Sequence, residues 1–395
     1  MGITDKFYNK KVLLWGYGAE GKASEHFLKK YCQPELVEVY EGKKEALPIE
    51  DYDYVIKSPG VPYIYTDEPK MTSMTELFLE EFRDQTIGIT GTKGKSTTTS
   101  MLYKVLSENL DRKVCLLGNI GIPSIDAYEE MKNGAIAVYE MSCHQLANNA
   151  VSPHIAVFLN LYEDHLDYYH TKEAYFEAKS HIAYYQTDSD YLYCGSNVPH
   201  IDTDASVIVV PDIDSAKYEL NIPGLHNQWN ADVVLNIACE RFGVAKEAAL
   251  KSLNGFNGLP HRLEKFASID GVDWYDDSIS TIPEATVNAI KSVYNTNCVI
   301  VGGMDRGIDY RGLLDEVRKR QDIRFVLCYA TGERLLNDLS GCDNVIYVPD
   351  LLEAVKWAKN NVKEGAVILS PAAASYGYFK NFVERGEKFK ELVLQ

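Results

Sequence analysis

The stretch Gly88-Ile-Thr-Gly-Thr-Lys-Gly-Lys-Ser-Thr97 decides how this chain folds. Thr86 and Ile87 end a short strand before it. A helical run, Thr98 to Leu106, follows it with Met101, Leu102 and Val105 on one face. A glycine-rich turn between a strand and a helix N-terminus cradles phosphate, because glycines let backbone N–H groups approach the oxygens and the helix dipole favours negative charge. Lys95 then reaches the outer phosphates, and the hydroxyl of Ser96 or Thr97 can ligate Mg²⁺. The spacing departs from the usual P-loop: counting back from Gly94-Lys95-Ser96, the first-glycine position holds Ile89. The plain alternative is a glycine turn with an exposed lysine.

With 395 residues the chain has room for two or three domains with ample cores. Its 40 basic and 57 acidic side chains leave a formal charge of −17, which argues against nucleic acid or an anionic membrane as the main partner. The eight cysteines are scattered without a C-x-x-C pair or zinc spacing, and most sit in apolar runs. They read as reduced, buried, small hydrophobes in a reducing compartment. No apolar signal core opens the sequence and no run is long enough to span a bilayer, so a cytoplasmic protein is expected.

Near the N-terminus, the strand Lys11–Trp15 runs into Gly16-Tyr-Gly-Ala-Glu-Gly21, then a helix from Lys22 to Lys30 and a strand Leu36–Tyr40 ending at Glu41. This is a βαβ opening with a dinucleotide fingerprint and an acid about 20 residues beyond the glycines. Taken alone it fits an NAD enzyme, or a tight turn that only packs helix on strand. A third strand, Tyr54–Lys57, enters Ser58-Pro-Gly-Val-Pro62, and the next already feeds the P-loop. A half-size unit of this kind suits a mononucleotide better.

Further along, the strand Lys113–Leu117 ends in Gly118-Asn-Ile-Gly121, a turn that is either structural or presents Asn119. The strand Ala135–Tyr139 delivers Glu140, placed either to coordinate Mg²⁺ beside the P-loop or to cap the next helix. A third strand, Ile155–Leu159, ends in Asn160-Leu-Tyr-Glu-Asp-His-Leu-Asp167, where His165 fits a metal ligand and a structural histidine equally. Lys179 falls on a helix, by pattern a solvated lysine. Asn227 and Asn230 lie a turn apart before the helix Ala231–Cys239, so their amides could read an adenine edge or serve as caps. In the last third, strands Val299–Val301, Phe325–Cys328, Val345–Val348 and Ala366–Leu369 alternate with helices such as Leu351–Asn361, a second doubly wound α/β pattern. Arg306, in Gly302-Gly-Met-Asp-Arg-Gly-Ile-Asp309, offers a planar fork suited to a carboxylate.

Four strings occur in order across essentially the whole chain: Thr90-Gly-Thr-Lys-Gly-Lys-Ser-Thr97, Asp164-His-Leu-Asp167, Gly258-Leu-Pro-His-Arg-Leu-Glu264, and Ser370-Pro-Ala-Ala-Ala-Ser375 with Phe379-Lys-Asn-Phe-Val-Glu-Arg-Gly386. They resemble the signatures of the Mur ligase family, which also includes the folylpolyglutamate synthetases. The resemblance implies an α/β fold of three domains. A Rossmann-like domain over residues 1–84 would hold the UDP-substrate. A central P-loop ATPase-like domain with a parallel sheet would cover 85–259, and a Rossmann-like domain over 260–395 would bind glutamate and nucleotide. On ATP it places Gly91, Thr92, Lys93, Gly94, Lys95, Ser96 and Thr97, joined by Asn227, Asn230, Arg262 and Asp277. Along the UDP-substrate it places Gly16, Tyr17, Gly18, Ala19, Glu20, Glu41, Ser58, Pro59, Gly60 and Asn119. Thr281, Arg306, Ser375 and Phe382 fall to glutamate. Lys95, Glu140, His165 and Lys179 take the catalytic places, with Mg²⁺ held by Ser96, Glu140, His165 and, if carbamylated, Lys179.

The implied activity is an ATP-dependent amide ligation that adds D-glutamate to UDP-N-acetylmuramoyl-L-alanine through an acyl phosphate. It would serve cytoplasmic peptidoglycan precursor synthesis, and through it cell shape and division, in a monomer with no nucleic-acid or membrane partner. Lys95 and Mg²⁺ would neutralise the transferring phosphoryl group, and closure about Arg262 would exclude water. Several residues depart from the family pattern: Cys143 and His144 in the stretch after Glu140, Ile279 where a lysine is usual, Arg306 for lysine, and Tyr376-Gly377 for Leu-Asp. The last two bear on the alternative, an L-glutamate-adding variant of the same ligase. Folylpolyglutamate synthetases resemble the family only from the P-loop onward, whereas Gly16–Gly21 precedes it here. From other classes come a nicotinamide oxidoreductase, disfavoured by the P-loop, and a non-catalytic nucleotide-binding subunit, which predicts loss of metal ligands that are all present.

Overall fold

A computed structural model describes residues 2–61 and 68–395; Pro62, the end of the turn expected at Ser58–Pro62, lies outside them. Three sheets organise the chain. The first contains β1 (Lys11–Trp15), β2 (Leu36–Tyr40), β3 (Tyr54–Lys57) and β4 (Met71–Thr72), all parallel, in the order β2-β1-β3-β4. Val12, Leu13, Leu14 and Trp15 are all buried, the continuous apolar run of a strand covered on both faces. The helix after β1 spans Ala19–Phe27, starting three residues before the expected Lys22. Gly21 therefore lies inside it, and a Cβ there would stand 2.3 Å from the Gly16 carbonyl oxygen. The last glycine of the fingerprint thus sets helix-to-strand packing.

The second sheet contains β5 (Thr86–Thr90), β6 (Val114–Gly118), β7 (Ile136–Glu140), β8 (Ile155–Phe158), β9 (Tyr191–Gly195) and β10 (Ser206–Val210). All are parallel, in the order β10-β9-β8-β5-β7-β6. Every residue of β5 is buried, and the helix it feeds spans Lys95–Asn109. The first two sheets share one compact unit, Met1–Ala216 with Gln228–Leu253. One core runs through both, from Val12 and Leu14 to Tyr139 and Phe158. Inside it the hydroxyls of Thr75 and Tyr139 meet at 3.0 Å, which satisfies two groups that burial would otherwise penalise.

The second compact unit, Lys217–Asn227 with Asn254–Gln395, holds the third sheet. Its strands are β11 (Glu264–Ile269), β12 (Val272–Asp276), β13 (Thr296–Gly302), β14 (Arg324–Cys328), β15 (Val345–Tyr347) and β16 (Gly365–Leu369). The order is β11-β12-β16-β13-β14-β15, parallel except for β11 against β12. The final helix, Phe382–Leu394, is pinned by Arg385, which is 1% exposed. Its guanidinium donates to the Ser278 hydroxyl (3.0 Å) and carbonyl (2.8 Å) and to the Ala373 carbonyl (3.0 Å). Burial lowers this guanidinium to about 10.

The eight cysteines are free thiols, six buried and two half-buried, as their apolar settings predict. Among the described residues no helix is long and apolar enough to cross a membrane.

Gly386 sits against His261 and Asp276: a Cβ there would lie 2.2 Å from His261 Nδ1 and 2.5 Å from Asp276 Oδ2. Gly386→Ala should therefore destabilise the second unit by ~1–3 kcal/mol through overpacking. Urea denaturation checks this, and an unchanged midpoint would contradict it.

Candidate active site

The phosphate loop leaves the carboxyl end of β5. Gly91 (φ 152) and Gly94 (φ 84) both adopt backbone conformations that L side chains rarely occupy. Gly94 is the N-cap of the following helix and no side chain caps it, so the first-turn amides are left for an anion. Asn160, just past β8, fixes the loop. Its Oδ1 accepts from the Lys93 N–H (2.9 Å), its Nδ2 donates to the Lys93 carbonyl (3.0 Å), and its own carbonyl accepts from the Thr92 N–H (3.0 Å). The Thr92 hydroxyl in turn accepts from the Tyr162 N–H at 3.0 Å.

Two lysines converge on one oxygen of this loop. Lys95 Nζ donates to the carbonyls of Gly91 (2.8 Å) and Thr92 (3.0 Å). Lys179 Nζ donates to the same Gly91 carbonyl (2.9 Å) and to the Thr90 hydroxyl (3.3 Å). Lys179 is 1% exposed rather than solvated. Burial, and then the neighbouring Lys95 charge, push it down to about 7, while burial also lowers Lys95. Glu140 ends β7 in register with Ile89 of β5, is buried, and has an Oε2 without a hydrogen-bond partner. A buried carboxylate oxygen in that state calls for a cation.

His165 adopts a left-handed backbone (φ 52), and its N–H donates to Asp164 Oδ1 at 3.0 Å. Asp164 Oδ2 lies 3.5 Å from Lys93 Nζ. The Tyr175 ring has His165 at 5.9 Å between centroids and Lys179 Nζ at 4.9 Å, so both sequence-derived ligands adjoin one ring. His144 stacks on Tyr169 at 5.7 Å and meets the His165 ring at 5.3 Å. Ser96 and Thr97 lie half-buried in the first helical turn.

In the same unit, the Gly16 and Ser58 turns touch through the Ser58 hydroxyl, which donates to the Gly16 carbonyl at 2.9 Å. Tyr17 donates its hydroxyl to Glu25. Glu20 accepts from Gln145 Nε2 at 2.7 Å, and burial pushes its carboxyl up to about 7. Beside it, burial lowers Lys57 to about 8, with the Glu20 charge opposing. Asn119 is exposed, and its N–H donates to the Glu140 carbonyl at 3.3 Å. Gly18, Ala19, Glu41 and Gly60 are exposed and Pro59 half-buried. Asn230 is buried within contact of the space a Cβ at Gly94 would fill. Asn227, which belongs to the second unit, donates its amide to the Pro223 carbonyl at 2.6 Å.

In the second unit Arg306 Nη2 donates to the Thr281 carbonyl at 2.8 Å, bringing two expected glutamate residues together. Asp277 is buried with both oxygens engaged, one by the Leu263 N–H (3.0 Å) and one by the Ser370 hydroxyl (2.7 Å); burial pushes its carboxyl up to about 6. Ser375 is buried, Arg262 is exposed, and the Phe382 ring stands edge-on to His261 at 6.1 Å. His261, Glu264 and Asp276 present three ligand atoms within 4.8 Å of one another. Lys390 supplies the positive charge there, 2.7 Å from Glu264 and 3.7 Å from Asp276.

The Mur ligase middle domain pattern matches residues 89–200. Over 97% of this chain and 98% of the relative, the sequence is 35% identical to the UDP-N-acetylmuramoylalanine–D-glutamate ligase of Aquifex aeolicus. The chain belongs to the Mur ligase family. It is also 29% identical to the UDP-N-acetylmuramoyl-L-alanine–L-glutamate ligase of Salinispora tropica, over 97% of each. In fold, this Mur ligase is similar to MurC of Thermotoga maritima (TM-score 0.56, 18% identity, 97% and 98% of the two chains). It is likewise similar to MurF of Acinetobacter baumannii (TM-score 0.62, 15% identity, 84% of each).

Sequence reasoning gave no role to two residues that shape this Mur ligase's site. Asn160 opens the histidine-bearing string, and its spacing to His165 was the available signal. Gln145 follows Glu140 by five positions; its Oε1 accepts from the Ser142 N–H (2.8 Å) and hydroxyl (3.0 Å) while its amide holds Glu20. Asn160→Ala removes both side-chain bonds to Lys93, worth ~0.5–1.5 kcal/mol each. The melting temperature should fall by about a few degrees, and the KM for ATP should rise roughly tenfold. Steady-state kinetics at varied ATP test this, and an unaltered KM would refute it.

Proposed function

We propose that this Mur ligase joins D-glutamate to the alanine carboxylate of UDP-N-acetylmuramoyl-L-alanine, using ATP. The convergence of Lys95 and Lys179 on the Gly91 carbonyl, opposite buried Glu140, carries the reading. It provides one lysine charge for phosphate, a second amine lowered enough to be modified, and a cation-seeking carboxylate at the mouth of a phosphate loop. The higher identity to a D-glutamate ligase supports that stereochemistry. The Arg306 and Tyr376-Gly377 departures favour the L-glutamate alternative as the second reading. A cytoplasmic, monomeric enzyme divided near 84/85 and 259/260 goes with the proposal, and the three separate sheets support that division.

A carboxylate is a poor electrophile, so an alanine carboxylate oxygen attacks the γ-phosphorus and ADP departs. The amine of glutamate then attacks the acyl carbon, and inorganic phosphate leaves as the amide forms. Lys95 exchanges the Gly91 and Thr92 carbonyls for phosphate oxygens, and the loop amides hold the rest of the charge. Glu140, Ser96, His165 and carbamylated Lys179 make a donor set that fits Mg²⁺, the unpartnered Glu140 oxygen above all. Mg²⁺ bound there would neutralise charge on the transferring phosphoryl group. On the glutamate, Arg306 forks a carboxylate beside Thr281, with Ser375 and Phe382 completing the contact.

Phosphate release from ATP in the presence of UDP-N-acetylmuramoyl-L-alanine, with D- and L-glutamate in separate reactions, tests the assignment. Release with D-glutamate alone is expected. Release with L-glutamate alone would transfer the assignment to the second reading, and release with neither would end both.

Only a neutral amine adds CO₂. Lys179, held near 7 rather than at the usual lysine value of 10.5, sheds its proton as pH rises through about 7. A carbamate signal from ¹³C-bicarbonate should therefore grow across that range and vanish in Lys179→Met, together with phosphate release. A signal that persists in the variant would place the carbamate elsewhere.

A further inference from the structure

A cavity of about 380 Å³ opens at the amino edge of the second sheet, away from the phosphate loop. It is lined by the starts of β5, β7, β8 and β9, by Arg112 before β6, and by the end of the helix Leu225–Phe242. β5 itself separates it from Gly91 by roughly 13 Å, four steps of strand rise. None of its residues belongs to the phosphate, metal or substrate sets described above. Its size falls in the range of small-molecule sites, ~300–1,000 Å³, and is well below what a nucleotide-sugar needs.

The lining carries Arg112, Arg241, His154 and Tyr191 together with the carboxylates of Asp84 and Glu240, of which Asp84 lies 3.6 Å from Arg83 and Glu240 2.9 Å from Arg241. Arg112 is held by neutral oxygens: it donates to the Gly134 carbonyl, to the Ala135 carbonyl (3.4 Å) and to Gln85 Oε1 (3.5 Å). Among the described residues no carboxylate forms an ion pair with it. Arg241 lies over the Tyr191 ring at 4.0 Å and donates to the Tyr193 hydroxyl at 2.9 Å, with Glu240 balancing its charge at 2.9 Å. His154 has its Nδ1 held by the Asp190 carboxylate at 2.8 Å. With Asp84 balanced by Arg83 and Glu240 by Arg241, Arg112 is the guanidinium of this recess held by neutral oxygens, and its fork fits a planar or tetrahedral oxyanion.

We propose that this cavity is a second small-molecule site, which takes an oxyanion-bearing metabolite of modest size on Arg112 and Arg241. The phosphate or carboxylate oxygens bind the Arg112 fork, and the remainder of the molecule rests against the Arg241–Tyr191 stack.

Calorimetric titration of the full chain with inorganic phosphate and, separately, with citrate tests this. At least one probe should bind saturably with a non-hydrolysable ATP analogue already filling the phosphate loop. That binding should weaken tenfold or more in Arg112→Gln or Arg241→Gln, each of which should keep ligase activity as proof of folding. Binding of phosphate alone would mark a phosphate-type ligand, and citrate alone a carboxylate-type one. The proposal is overturned by the absence of saturable binding with either probe, by displacement with the ATP analogue, or by full binding in both arginine variants. The wild-type competition decides the matter even if a variant fails to fold.

Discussion

Two ammonium groups on one carbonyl oxygen constitute the constraint around which the catalytic half of this Mur ligase is built. Lys95 comes from the loop itself and Lys179 from a helix after β8, and both end on Gly91. Such a pair is unstable as two full charges in a buried place. Burial pushes both down, and Lys179, the more deeply buried and lowered further by the Lys95 charge, goes to about 7. Glu140 then needs a positive partner that the protein only half provides. The arrangement is poised: a nucleotide and its metal would complete an electrostatic set that the protein leaves open.

The loop can hold that poise because neutral hydrogen bonds fix it. Asn160 grips Lys93 from both sides of the peptide, and Thr92 and Tyr162 lock the next residue. A loop restrained this way presents its amides without reorganisation when charge develops. Gln145 extends the same logic to the first sheet, linking the strand end that carries Glu140 to the Gly16–Gly21 turn through Glu20.

Much of this was legible in the chain because phosphate chemistry is local in sequence. A strand, a glycine turn and a helix start must be contiguous, so Gly91 to Thr97 announced the second sheet. Most strand positions, though not those of β4, β9, β10, β11 and β12, also followed from apolar runs, since parallel strands buried on both faces carry no alternation to misread. What stayed hidden was long-range. The bond of Asn160 to Lys93 spans 67 positions and that of Gln145 to Glu20 spans 125, so no local pattern encodes either. Lys179 read as a surface lysine because helix periodicity does not say which face meets the phosphate loop. Lys390 likewise gave no hint that it answers the His261–Glu264–Asp276 cluster from the far end of the chain. β4, β9, β10, β11 and β12 all escaped; β11, antiparallel to its neighbour, has a face that is only half-buried and mixes charge with apolar residues.

The order of the third sheet has a consequence for biosynthesis. β16, the last strand, lies in the middle, between β12 and β13. A nascent chain that has released β11 to β15 therefore holds two strand groups with open inner edges and nothing to join them. Arg385 and Gly386, which lock the final helix against Ser278 and His261, emerge later still. The second unit thus closes only once the chain has been made through Gly386. Until then its unpaired edges are the surfaces that chaperones would have to shield. A premature stop before Gly386 would remove part of this lock, and one before Leu369 would cut into the keystone strand as well.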